Sequence, residues 1–141
     1  MASFLSFLLA QVSKLGLTFL QEKRLEAHRL VSSGGMPSSH SALVMGLTTS
    51  VGLGHGADSA IFAISLIFSV VVMYDAAGVR LQAGQHADLL NQIVFELPPE
   101  HPVANSFKPL REMIGHTPVQ VVAGALLGML VASVVHVIVS I

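Results

Sequence analysis

Two histidines in this chain stand at the starts of apolar runs, in settings where imidazole suits phosphoryl chemistry. His40 lies in Met36-Pro37-Ser38-Ser39-His40-Ser41, reached through Gly34-Gly35 and followed at once by an apolar run from Ala42. That order reads as a flexible loop feeding a helix N-terminus, with the histidine in the first turn. A helix N-terminus is a natural anion site, because its free N–H groups point outward at the positive end of the dipole. His116 lies in Gly115-His116-Thr117-Pro118, just before the last apolar run. Here Thr117 reads as an N-cap, Pro118 as the first helical residue and Gln120 as the partner that closes a capping box. The plainer reading of both segments is a helix cap with an incidental histidine.

Cations and hydroxyls that would complete such a site are present. Arg80 and Arg111 pair bidentately with phosphate oxygens if they reach them. Arg80 reads equally as an interfacial anchor with its stem on apolar surface. Ser38 and Ser39 offer hydroxyls beside His40. Lys14, midway along the first apolar segment, either snorkels, pairs with a carboxylate or reaches phosphate. Asp75 ends an apolar run, where an ionisable group is costly and usually functional. His136, deep in the last run, reads as a satisfied polar contact; His28, His55, His86 and His101 carry no assignment.

The elements that must hold these residues are membrane elements. The chain has 141 residues, the size of one domain spanning 1–141. It is 52% hydrophobic and 11% charged, against about 25% charged in soluble domains. Mean hydropathy is +0.73. A net charge of −1 argues against nucleic acid as a partner. With no cysteine there is neither a disulfide nor a thiolate metal site. The first segment lacks a basic leader and cleavage pattern and reads as a retained span.

The expected fold class is all-α: an integral membrane helical bundle of about four transmembrane spans plus one amphipathic helix. The spans are Phe4 to Leu20, Ala42 to Leu53, Ser59 to Tyr74 and Pro118 to Ile141. The second is short of the ~20 residues a span needs, unless the polar turn before it counts. Gly46, Ser50 and Gly54 in the second span, and Gly124 and Gly128 in the last, have the spacing that lets helices approach closely. Asp75 to Arg80 reads as a turn. Gln82 to Glu96 reads as the amphipathic helix, with Leu89, Leu90, Ile93 and Leu97 on one face. Leu97 to Lys108, with three prolines, reads as an irregular loop.

Positive charge falls in the first connection (Lys23, Arg24, Arg29) and the third (Arg80, Lys108, Arg111), and the second has none. The positive-inside rule puts those two connections on one side. His40, Asp75, Arg80 and His116 then share a side and can converge on one polar pocket.

The stretches GGMPSSHSA, VVMYDAAGVRLQAGQHADLLNQI and LREMIGHTPVQVVAGALLG, from about Ser33 to Gly128, resemble the acid phosphatase/vanadium-dependent haloperoxidase-related membrane proteins. These are distant relatives of the type-2 phosphatidic acid phosphatases, found in bacteria and in plant plastids. The resemblance implies three motifs. Pro37-Ser38-Ser39-His40 matches a Pro-Ser-Gly-His, with Ser39 for glycine, and makes His40 the general acid. Arg111 to His116 resembles the third motif, one residue short, and makes His116 the nucleophile. Gln120 stands where that motif has an aspartate. Lys14 would open the first motif, but Gln21 stands where an arginine is expected and no proline follows.

The resemblance therefore implies hydrolysis of a lipid or isoprenoid phosphate through a phosphohistidine, in a bacterial plasma membrane or a plastid membrane. Arg80, Arg111, Ser38, Ser39 and Lys14 would bind phosphate, and Asp75, Glu112 or Gln120 would orient or assist. No metal or other cofactor is called for, since histidines and arginines supply nucleophile, acid and charge. The alternative is a non-catalytic lipid-phosphate binder, a homo-oligomer or an accessory subunit of a larger membrane complex.

Overall fold

A computed structural model describes residues 1–22, 35–112 and 114–140. The charged run that carries Lys23, Arg24 and Arg29, and with it half of the topological argument, lies outside the described residues. Among the described residues six α-helices follow one another: α1 (Ala2–Glu22), α2 (Ser39–His55), α3 (Ala60–Tyr74), α4 (Arg80–Phe95), α5 (Pro102–Ser106) and α6 (Pro118–Val139). There is no strand among the described residues.

The helix starts follow from their caps. Ser38 caps α2 by accepting the Ser41 N–H, and Ser59 caps α3 by accepting the Phe62 N–H. Thr117 and Gln120 form a reciprocal capping box at α6, with Pro118 inside it. Each cap satisfies a backbone donor that helix geometry leaves orphaned. The proline-rich stretch expected to be irregular contains the short α5, started by Pro102 and capped by His101.

Asp75 to Val79 is not the turn the sequence led us to expect. It is a π-helical turn, so α3 and α4 form one continuous helix of 36 residues from Ala60 to Phe95. A π-turn absorbs one additional residue without ending the helix, and no proline or capping side chain intervenes here. At 1.5 Å per residue the helix is about 54 Å long, well beyond a ~30 Å hydrocarbon core. Leu89, Leu90 and Ile93 do lie exposed on α4.

Among the described residues two helices are long and apolar enough to cross a membrane, Ala60–Phe95 and Pro118–Val139. The apolar part of α1, Ala2–Leu17, and the 17-residue α2 fall below that length. The packing has the polarity of a membrane bundle. Side chains completely buried include Ser6, Ser38, Ser41 and Ser69, while Ile64 is 69% and Ile67 65% exposed. Large apolar side chains face outward because hydrocarbon solvates them as well as a core does, and small residues gather where backbones meet.

α2 is central and packs against α6, α1 and α3. A side chain at Gly124 would meet the Ser38 carbonyl, and one at Gly128 the Ala42 carbonyl; one at Gly46 would run into Ser6 of α1. Gly54, in contrast, faces open space. Thr48 donates to the Ser65 carbonyl at 3.0 Å and lies 2.7 Å from the Ser69 hydroxyl, which donates to the Val44 carbonyl at 3.0 Å. These bonds tie α2 to α3 with no buried hydroxyl left over.

Candidate functional site

Three long-range ties bring the ends of these elements together. Ser38 N–H donates to the Gln120 carbonyl at 3.0 Å, joining the start of α2 to the first turn of α6. His116 N–H donates to the Ala76 carbonyl at 3.1 Å, joining the approach to α6 to the π-turn. Lys14 Nζ, on α1, donates to Ser39 Oγ at 3.4 Å. Gly115 makes the second tie sterically feasible, since any side chain there would strike the backbone of Leu81. Gly84 similarly leaves room for the Glu112 carbonyl.

The result is a small cavity of about 60 Å³ lined by His40, Val72, Asp75, Ala76, Arg80, Ile114 and His116. The sequence-predicted histidines, one of the arginines and Asp75 thus share one space. His116 is 3% exposed. His40 is exposed, with its ring edge-on to Phe7 of α1 at 6.3 Å. Lys14 is buried against Ser39.

Gln120 uses one atom twice. Its Oε1 accepts the Thr117 N–H at 3.1 Å and lies 3.2 Å from His116 Nδ1. The backbone donor identifies that atom as the amide oxygen, so His116 Nδ1 must carry the proton toward it. Nε2 is left as the ring's lone-pair nitrogen. Burial lowers the pKa of His116; the bond to Gln120 opposes this, while the charges of Lys14 and His40 add to the lowering. Buried imidazole is thereby biased toward its neutral form.

Asp75 accepts from Arg80 Nε at 2.5 Å. Arg80 N–H donates to the Asp75 carbonyl, five residues back, rather than to Ala76. The Ala76 carbonyl is thus available to His116. A π-turn was not legible in the sequence, although Asp75 and Arg80 with glycine between them mark its ends.

Other sequence candidates lie elsewhere. Arg111 is exposed and does not line this cavity. Glu112 accepts from Asn91 Nδ2 at 2.7 Å and faces a different recess. Ser38 is wholly buried, its hydroxyl engaged by Ser41, and Ser39 is held by Lys14. Among the described residues no three of His, Asp and Glu gather as a metal-ligand set.

Comparison with known proteins gives the family of the chain. A family described as "Divergent PAP2 family" matches over residues 1–131. The "Uncharacterized membrane protein YuiD" of Bacillus subtilis (strain 168) is similar: 39% identical over 143 residues, covering 95% of this chain and 90% of that protein. No solved structure matches.

Proposed function

This chain belongs to the divergent PAP2 family, and on that premise we propose that it is a membrane-embedded phosphatase acting on the phosphate ester of a lipid or isoprenoid alcohol. The observation that carries the reading is the shared cavity: His40, His116 and Arg80 line one space at the ends of apolar helices.

The chemistry balances with these groups alone. His116 Nε2 attacks phosphorus, the ester P–O bond breaks, and the departing oxygen takes a proton from His40. Water then attacks the phosphohistidine, giving its proton to His40 as the N–P electron pair returns to His116. Arg80 and Lys14 supply positive charge where the phosphoryl oxygens gain negative charge. Gln120 holds the nucleophile in the tautomer that frees Nε2, as an orienting acceptor must.

The cavity size supports an amphiphile. About 60 Å³ is space on the scale of a phosphoryl group, several times the ~10–15 Å³ that one water needs by the same measure. The remainder of an ester would leave past Val72 and Ile114, which line the cavity, toward the apolar helix surfaces. In this reading α1 and α2 complete a four-span bundle with the site at one membrane boundary.

One observation favours a second reading, a non-catalytic lipid-phosphate binder or accessory subunit. Gln120 supplies an acceptor but no charge to stabilise an imidazolium. Phosphate release from a panel of lipid and isoprenoid phosphates, by purified wild type and His116→Ala, decides between them. Release that disappears in His116→Ala is expected; equal background in both, with folding retained, selects the binding role.

A further inference from the structure

Asp75 and Arg80 are five residues apart. In a regular α-helix such residues point about 140° away from each other. They meet here because the π-turn replaces the i to i+4 bond with an i to i+5 bond, which stacks residues five apart on one face. The irregularity in the helix and the ion pair are therefore one feature. The same turn leaves the Ala76 carbonyl to hold His116.

The pair is a poor candidate for a stabilising contact. Its side chains are 59% and 40% exposed, and exposed ion pairs add little to folding. Its placement is more telling. Both side chains line the cavity that holds His40 and His116. Asp75 engages Nε of Arg80, and a guanidinium has four further N–H donors on its terminal nitrogens. Fixing Nε therefore orients the fork of the guanidinium without consuming it.

We propose that Asp75 is a tethered counter-ion and positioning residue of the phosphate site: it holds Arg80 toward the cavity and, by its own negative charge, tempers how tightly the site keeps phosphate. This rests on the phosphatase reading for its consequences in turnover, though not for its consequences in anion binding. In the empty site the carboxylate partly neutralises Arg80. With a phosphoryl group present, Arg80 keeps its Nε bond and turns its terminal N–H groups to the phosphoryl oxygens. A nearby carboxylate repels phosphate, so inorganic phosphate formed in the second step is held less firmly than Arg80 and Lys14 alone would hold it. Orientation and release are then two effects of one side chain.

Two variants of the full chain, purified in detergent, separate those effects. Asp75→Asn removes the charge and keeps the size; Asp75→Glu keeps the charge and displaces the guanidinium by one methylene. Orthovanadate and inorganic phosphate binding are measured by calorimetry, turnover on the panel of lipid and isoprenoid phosphates by initial rates, and folding by thermal midpoint. Asp75→Asn should bind both anions roughly threefold to tenfold more tightly, with kcat at least tenfold lower. Asp75→Glu should lower kcat similarly without tightening anion binding. A merely structural role would lower the midpoint and weaken binding and turnover together in both variants, which overturns the proposal. Unchanged anion affinity in Asp75→Asn also overturns it. Wild type that binds vanadate but hydrolyses no ester removes the phosphatase reading, while the binding comparison still judges Asp75. Wild type that binds neither anion removes both.

Discussion

The amide oxygen of Gln120 lies 3.2 Å from His116 Nδ1 and also closes the cap of α6 through Thr117. The residue that starts the last helix therefore also sets which nitrogen of the histidine is free. The capping reading and the orienting reading, which looked like rivals in the sequence, describe a single atom.

Replacing Gln120 with glutamate tests what that atom lacks. Glutamate is nearly isosteric and fits the capping box equally well, so the thermal midpoint should hold. It adds the charge that stabilises a cationic imidazole. Initial rates on a lipid phosphate should rise at least tenfold in Gln120→Glu, and the acid limb of the pH profile should move to higher pH. A rate unchanged or lowered, with the cap intact, would show that the uncharged acceptor already suffices or that His116 is not the nucleophile.

Burial sets the direction of the wild-type pH profile. His116 is held below the ordinary histidine value of about 6.5, chiefly by desolvation. A nucleophile must be unprotonated, so activity should persist into solution more acidic than pH 6.5 and fall only as pH passes the lowered value. The linked stability has the same sign. In the unfolded chain His116 protonates near 6.5, so the stability that depends on its neutral form is full above that pH and is lost on acidification through the folded value. The acid limb of kcat/KM and the pH dependence of the thermal midpoint measure the two separately.

The two arginines should behave differently. Arg80 lines the cavity and Arg111 is exposed outside it. A charge-assisted hydrogen bond contributes about 1.5–3 kcal/mol, so Arg80→Ala should weaken vanadate binding about tenfold or more. Arg111→Ala should leave it within about twofold. Thermal protection by vanadate in the two variants is the measurement, and equal losses would place Arg111 at the phosphate.

The glycines divide by what faces them. Gly124→Ala and Gly128→Ala drive a methyl group into the carbonyls of Ser38 and Ala42. Overpacking of this kind costs about 1–3 kcal/mol and should lower the thermal midpoint while displacing the start of α2, which carries His40. Gly54→Ala meets open space and should be neutral or slightly stabilising, since alanine favours helix by about 1 kcal/mol over glycine.

Much of this molecule is readable along the chain. The apolar runs, the cap at Thr117 and the glycine spacing in α6 are local properties. Each is set by residues within four or five positions of one another, which is the range over which helical hydrogen bonds and capping operate. The same locality explains why His40 and His116 stood out: each is in the first turn of a helix or just ahead of it. What the sequence could not decide was how pieces far apart in the chain meet. Asp75 to Arg80 reads as a turn because its composition permits one; only the docking of the Gly115-His116 backbone on Leu81 and Ala76 shows a π-turn in use. The sequence likewise put Gln120 at the motif's aspartate position and left open whether Asp75 or Glu112 serves His116 instead. Tertiary structure separated them, giving Gln120 the imidazole, Asp75 the guanidinium of Arg80 and Glu112 the amide of Asn91. Partner choice of that kind depends on which backbones can approach closely, and that is determined by the packing of small residues between helices.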